Sequence, residues 1–256
     1  MLNSIITGVR ADARKRAQKK PLVVLEDEIA GLTETLNFTE TLSAKKRINI
    51  IAEIKRASPS AGPLRPKLSP GTLAQSYQKA GAAAVSVLTE RNHFQGSLAD
   101  LAAVRKSIQI PILQKDFILI PYQIYEARAC GADAILLIVA LHNRQTLREL
   151  FSLALSLKLS ALVEIHSEPE LEDALSVGAD IIGINNRNLT TLKTDLNVSR
   201  RILPLIPKEK IAVVESGLKT KTEIQELSRL GASAFLIGES LLRQDDPTSV
   251  LASLLK

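Results

Sequence analysis

The stretches GAAAVSVL (81–88), GADAILLI (131–138), GADIIGIN (178–185) and GASAFLIG (231–238) decide the architecture of this chain. Each opens on a Gly-Ala pair, and the pairs recur at spacings of 50, 47 and 53 residues. A glycine suits the left-handed position just past a helix C-terminus, and the small residue after it lets the chain turn tightly into a buried strand. Each period therefore predicts a strand, a helix, a strand and a helix. Four periods give eight strands and eight helices, the count that closes a parallel (β/α)8 barrel, the TIM barrel, in which chemistry sits at the C-terminal ends of the strands.

Working outward from the repeat, eight short runs rich in Ile, Leu, Val and Ala read as strands: 49–55, 84–90, 111–117, 134–140, 161–166, 181–187, 211–217 and 234–240. Their near-continuous apolarity suits strands covered on both faces. Ser69-Pro70, Ser97, Pro121, Thr220 and Pro247 mark helix starts between and after them. Residues 1–47 precede the repeat and read as a helix from about Asn3, Pro21, a second short helix and a polar connection. The expected organisation is one domain over residues 1–256, an N-terminal helical extension followed by a barrel from residue 48.

The bulk properties fit one packed domain: 256 residues, 45% hydrophobic and 23% charged. A lone Cys130 excludes an internal disulfide, and its place before Gly131 suggests a small buried residue in a reducing compartment. No apolar run approaches the roughly 20 residues that span a bilayer, so the expected location is the cytoplasm, with no membrane partner. The net charge of +6 suits either a nucleic acid or a small polyanion. Its densest stretch, Arg14 to Lys20, reads most simply as the solvated face of an amphipathic helix whose apolar side is Ile5, Ile6 and Val9. Aromatics make up only 3% of the chain, which argues against base-stacking platforms, and no nucleic-acid partner is expected.

The strands are asymmetric. Their N-terminal ends are plain, whereas their C-terminal ends carry Glu53 and Lys55, Lys115, Glu164, Asn185 and Arg187, then Glu215. Buried charges cost several kcal/mol each unless paired or wet. Because side chains alternate along a strand, Glu53 shares a face with Lys55, and Asn185 with Arg187. If that face is the inner one, these groups converge on one mouth as an acid-base apparatus. After strands seven and eight come Ser216-Gly217 and Gly238-Glu239, where this fold usually cradles phosphate. No Walker or dinucleotide fingerprint appears, and Glu164 with His166 could only begin a metal site, since no further ligand cluster accompanies them.

The strand-end segments IAEIKRASPSAG (51–62), SVLTERNHFQGS (86–97), ILQKDFI (112–118), LVEIH (162–166), IGINNRNL (182–189), VVESG (213–217) and LIGESL (236–241) together resemble the indole-3-glycerol phosphate synthases, the ring-closing enzymes of tryptophan biosynthesis. The resemblance runs over nearly the whole chain. It implies a lyase that converts 1-(2-carboxyphenylamino)-1-deoxyribulose 5-phosphate to indole-3-glycerol phosphate with loss of carbon dioxide and water, and it implies no cofactor and no metal. On the matching positions, Lys115 is the expected general acid, and Glu164 the general base or cation stabiliser that assists rearomatisation and hydroxyl loss. Lys55 is expected on the anthranilate carboxylate, with acid catalysis of the dehydration open to it as to Lys115, and Glu53 and Glu215 are expected to orient lysines and substrate hydroxyls. Asn185, Arg187, Phe94 and Phe117 are expected on the ring and its carboxylate region, and Ser58, Ser216, Gly217, Gly238 and Glu239 on the phosphate. The extension is expected to help cover the substrate. Asn188 departs from the family, which commonly has Asp there, and Arg65 lies in a variable loop with no assigned role.

Two other readings stand beside this one. A Schiff-base aldolase would keep the barrel and phosphate cradle but use Lys115 or Lys55 as a nucleophile. A non-enzymatic scaffold would use the basic surface to hold RNA or an acidic partner. For the synthase the expected partner is the small phosphorylated substrate, with the chain a monomer or weak homo-oligomer, alone or beside other enzymes of the pathway.

Overall fold

In the computed structural model, which describes residues 2–44 and 47–255, eight parallel strands close into a barrel. They are β1 (Asn49–Ile54), β2 (Ala84–Leu88), β3 (Ile112–Lys115), β4 (Ala134–Ile138), β5 (Ser160–Ile165), β6 (Ile181–Asn185), β7 (Ile211–Glu215) and β8 (Ala234–Ile237). Each pairs with its sequence neighbours, and β1 closes the ring by pairing with both β8 and β2. All four Gly-Ala pairs act as expected. Gly81, Gly131, Gly178 and Gly231 have φ of +99°, +86°, +84° and +115°. The amide of the following alanine donates back five residues, from Ala82 to Tyr77 and from Ala132 to Ala127, for example. That bond closes the last helical turn and releases the chain into the next strand.

Most of the predicted strands run about two residues too far. The polar ends 89–90, 116–117, 186–187, 216–217 and 238–240 leave the ladder, because ionised and hydrogen-bonding side chains there turn the backbone out into the loops of the mouth. Helix starts at Ser97 and Thr220 are capped by their own side chains, and Pro70, Pro121 and Pro247 each open a helix. Burial divides the strand faces cleanly. Ile51, Leu113, Leu136, Leu162, Val213 and Leu236 fill the barrel interior. Ile50, Ala52, Val85, Ile135, Val163, Ile182, Val214 and Phe235 pack outward under the helices.

The extension is more structured than its composition suggests. It forms α1 (Leu2–Lys19), α2 (Leu22–Ala30) and, within the expected polar connection, α3 (Phe38–Ser43). Asn37 caps α3 by accepting from the Glu40 amide, and the fully buried Phe38 and Leu42 join the interior core, closing the barrel at the end opposite the mouth. Asn49 at the start of β1 donates toward the carbonyls of Leu42, Ala44 and Ser233 at 3.0–3.1 Å, locking that closure. At the other end Ile5 and Val9 of α1 pack on Leu119, Phe117 and Leu141.

The basic stretch is a solvated face only in part. Arg14, Lys15 and Lys19 are exposed, but Arg16 makes a bidentate pair with the buried Glu126 at 2.7 and 2.8 Å, and Lys20 meets Glu28 at 2.6 Å. The guanidinium therefore ties α1 to the helix Pro121–Ala129 while the rest of the side chain stays partly in water. Cys130, expected to be buried, is half-buried, and burial pushes its thiol up to about 11, away from reactivity. Among the described residues no helix is long and apolar enough to cross a membrane.

The junction glycines make a direct prediction. A Cβ at Gly178 would meet nothing within 4 Å, so Gly178→Ala isolates backbone strain and is expected to lower unfolding free energy by about 1–2 kcal/mol. Gly131→Ala should lose more, because its Cβ would also meet Arg105 Cγ at 2.6 Å. Urea denaturation of the two variants, with Gly178→Asn as the tolerant control, checks the ranking.

Candidate active site

The C-terminal rim of the barrel holds one cavity, and all fourteen residues singled out from the sequence line it: Glu53, Lys55, Ser58, Phe94, Lys115, Phe117, Glu164, Asn185, Arg187, Glu215, Ser216, Gly217, Gly238 and Glu239. The inner-face assignment explains why. Glu53 on β1, Lys115 on β3, Glu164 on β5, Asn185 on β6 and Glu215 on β7 each sit one or two steps beyond an interior apolar residue on the same face.

At the centre the Lys115 Nζ lies 2.9 Å from Glu164 Oε2 and 3.1 Å from Glu215 Oε2. The Lys115 side chain is 12% exposed and the two carboxylates 1% and 2%. Burial opposes the ammonium charge, but Glu164, Glu215 and Glu53 outweigh it and hold Lys115 protonated, above the usual lysine range. Burial likewise opposes the Glu164 charge, and Lys115 and His166 reverse that, keeping this carboxylate ionised below its ordinary range. Glu215 behaves oppositely. Burial, with repulsion from Glu164 and Glu53, pushes it up to about 8 against the attraction of Lys115. One mouth thus holds a protonated amine, an ionised carboxylate and a carboxyl with a raised affinity for its proton. Beside them Lys55 Nζ contacts Glu53 Oε1 at 2.5 Å.

The Phe94 and Phe117 rings lie 6.3 Å apart between centroids, tilted by 48°, half-buried on the β2–β3 side. On the β7–β8 side Ser216 and Gly217 both take left-handed backbone, at φ +64° and +85°. Such a conformation is uncommon for a residue with a Cβ and occurs where surrounding structure enforces it, often at ligand sites. Gly238 is needed for a different reason. A Cβ there would collide with the Glu53 side chain, so the glycine lets the β8 backbone pass against that carboxylate. The Glu239 side chain is tied to Arg187 at 3.3 Å and to Arg243 at 3.0 Å.

Arg187 also donates to the Leu192 carbonyl at 2.9 Å. Asn188 is not its anchor. The Asn188 Oδ1 accepts from the amides of Thr190 and Thr191 at 2.9 and 2.8 Å, closing a turn that an aspartate would close equally well. Arg65 has a structural place that sequence did not reveal: its guanidinium donates to the carbonyls of Leu242, Gln244 and Asp245, tying the loop after β1 to the segment after β8. Leu2 and Ile5 of α1, with Leu189 and Leu192, also line the cavity. Of these only Ile5 had a signal, the apolar side of an amphipathic helix. Glu164 and His166 do not grow into a metal centre, since no group of three or more His, Cys, Asp or Glu side chains suited to a cation occurs among the described residues.

Comparison with known proteins gives the chain a family. A family model described as indole-3-glycerol phosphate synthase matches residues 2–254. The indole-3-glycerol phosphate synthase of Rhodococcus jostii is 45% identical over 254 residues, covering 99% of this chain and 94% of the relative. That of Mycolicibacterium smegmatis is 46% identical over 254 residues, covering 99% and 93%. That of Dehalococcoides mccartyi is 44% identical over 259 residues and covers both chains completely. Among solved structures, a thiamine phosphate pyrophosphorylase from Pyrococcus furiosus superposes with a TM-score of 0.61 at 15% identity, covering 85% of this chain and 96% of its own. An N-acetylmannosamine-6-phosphate 2-epimerase from Clostridium perfringens gives the same score and identity over 82% and 93%, and at that identity both likenesses speak only to the fold. The match over nearly the full length, together with the strand-end residues gathered at one rim, shows that this chain belongs to the indole-3-glycerol phosphate synthase family.

Proposed function

We propose that this chain closes the indole ring of indole-3-glycerol phosphate from 1-(2-carboxyphenylamino)-1-deoxyribulose 5-phosphate, releasing carbon dioxide and water, with Lys115 as the general acid. The observation that carries the reading is an ammonium group nearly buried between two carboxylates and held protonated. When the aromatic ring carbon attacks the substrate ketone, its oxygen becomes negative, and a charged donor already in place stabilises that oxygen and protonates it. Loss of carbon dioxide from the attacking carbon restores the aromatic ring, and Glu164, ionised and hydrogen-bonded to Lys115, then takes a proton from the former C1 methylene as the hydroxyl, protonated by a lysine, leaves as water. Lys55 pairs with the anthranilate carboxylate until it leaves as carbon dioxide. Glu53 and Glu215 hold the lysines and the sugar hydroxyls in register.

The layout of the rim supports a single binding direction. Strand β1 stands between β8 and β2, so Lys55 and Glu53 lie between the turns after β7 and β8 and the aromatic pair after β2 and β3. On this reading the phosphate meets Ser58, Ser216, Gly217, Gly238 and Glu239, the ring packs beside Phe94 and Phe117, and Asn185 and Arg187 steer the ring and its carboxylate. We take the enzyme to work in the cytoplasm, as a monomer or weak homo-oligomer.

A Schiff-base role for Lys115 fails on charge. A Schiff-base lysine must shed its proton to attack a carbonyl, and such lysines are desolvated or placed near other cations. Lys115 is instead surrounded by anions that hold its proton.

Turnover of the carboxyphenylamino-deoxyribulose phosphate, followed by indole-type fluorescence, tests the assignment. Lys115→Ala is expected to lower kcat by ~10²-fold or more, and undiminished turnover in that variant would remove Lys115 from the role. Glu215 gives a second test. Its folded-state pKa of about 8 exceeds the ordinary 4.5, so the folded protein binds this proton more tightly than the unfolded chain. Its contribution to stability is therefore full below about 4.5 and is lost as pH rises through about 8. Unfolding free energies measured from pH 5 to 9 should fall more steeply for the wild type than for Glu215→Gln, which cannot lose a proton; parallel curves contradict the buried carboxyl.

A further inference from the structure

His166 follows β5 at the rim but does not line the cavity, and its ring is squeezed between two carboxylates. Its Nε2 lies 3.4 Å from Glu164 Oε1, on the side of that carboxylate away from Lys115. Its Nδ1 lies 3.5 Å from Glu170 Oε2, on the first turn of the helix Glu168–Ser176. Both ring nitrogens are buried, and neither has any other hydrogen-bond partner. An ionised carboxylate accepts and does not donate, so an imidazole that faces one from each nitrogen is satisfied only when both nitrogens carry hydrogen. Glu170 is itself held in place: Oε2 accepts from the His166 amide at 2.8 Å, and Oε1 from the Ser167 hydroxyl at 3.2 Å.

We propose that His166 is a positioning residue for Glu164: its imidazolium, braced from behind by Glu170, keeps Glu164 ionised and aimed at the substrate side of Lys115. The inference rests on the reading of Glu164 as the general base. The titratable groups facing this pair are few and can be named. Glu164 sees Lys115 from β3, His166 from just past its own strand and Glu215 from β7, and His166 sees Glu164, Glu170 from the helix that follows and Glu215. Glu215 brings no positive charge to Glu164, and burial with the neighbouring carboxylates raises its own hold on a proton. Lys115 compensates one carboxylate oxygen and His166 the other. Burial works against the imidazolium, while contacts with Glu170 and Glu164 raise its affinity for the proton above the ordinary histidine range. The 3.4 and 3.5 Å contacts are longer than formed hydrogen bonds, as is common for catalytic contacts before substrate closes the site.

The test is the pH dependence of kcat in wild type, His166→Gln and Glu164→Gln, together with NMR of the imidazole in wild type and Glu170→Gln. An opposite charge this close lowers a carboxylate pKa by about 1 unit or more. In His166→Gln the acidic limb of kcat should therefore move up by about one pH unit, giving roughly tenfold lower kcat below the limb, with KM nearly unchanged. A purely structural defect would scale kcat down at every pH without moving the limb. The chain has three histidines, which keeps assignment simple, and the His166 ring should be doubly protonated at pH 7 and less readily so in Glu170→Gln. An unmoved limb in a folded His166→Gln, or a neutral His166 ring in the wild type at pH 7, overturns the proposal; the NMR arm stands even if the variant does not fold. Full activity in Glu164→Gln would instead sink the base assignment, whereas an inactive Glu164→Gln beside an unmoved His166→Gln limb sinks this inference alone.

Discussion

Around Lys115 three carboxylates meet two ammonium groups, and that imbalance governs the rest. Glu53, Glu164 and Glu215 are nearly buried, and Lys55 and Lys115 are the cations among them. A surplus buried anion costs several kcal/mol, so one carboxyl takes up a proton instead of a counterion. Glu215 is the one, because burial and both neighbouring carboxylates act on it together while Lys115 is shared with Glu164. The arrangement sets two carboxyls of one chemistry in opposite protonation states, which is how a single fold offers acid and base functions at one pH.

Such a charge cluster holds its geometry only on a stiff frame. The frame is the closed ring of strands, apolar on both faces, with helices outside and Phe38 and Leu42 sealing the far end. Close approach matters as much as stiffness. Gly238 lets the β8 backbone pass Glu53, and Gly183 makes the same room for Glu215, since a side chain at either would displace the carboxylate beside it. These two glycines act by absence of volume, unlike the Gly-Ala junctions, which act through left-handed backbone.

Much of this was legible in the chain. The glycine rhythm gave the barrel because a left-handed helix exit has a local signature, and the polar strand ends gave the mouth because charge at the end of an apolar run contradicts burial unless the charges meet. What stayed hidden depends on contacts distant in sequence. Arg16 reads as one more cation on a helix face until Glu126, 110 residues away, is placed beside it. The pairing of Arg65 with carbonyls after β8 leaves no trace in residue type. Helix α3 was missed because six residues carry too little periodicity, although Asn37 three residues before Glu40 is a capping signal. His166 attracted notice beside Glu164, but the third member, Glu170, looks like an ordinary first-turn acid until the fold turns it inward.

The seal formed by Phe38 and Leu42 has an effect on traffic. With the lower end stoppered by aromatic and aliphatic bulk, the rim under α1 is both entrance and exit. Substrate arrival, escape of gas and water, and departure of the larger indole product all use that doorway in turn. How quickly Leu2 and Ile5, the lintel over it, shift aside therefore bears on throughput as directly as the bond-making beneath them.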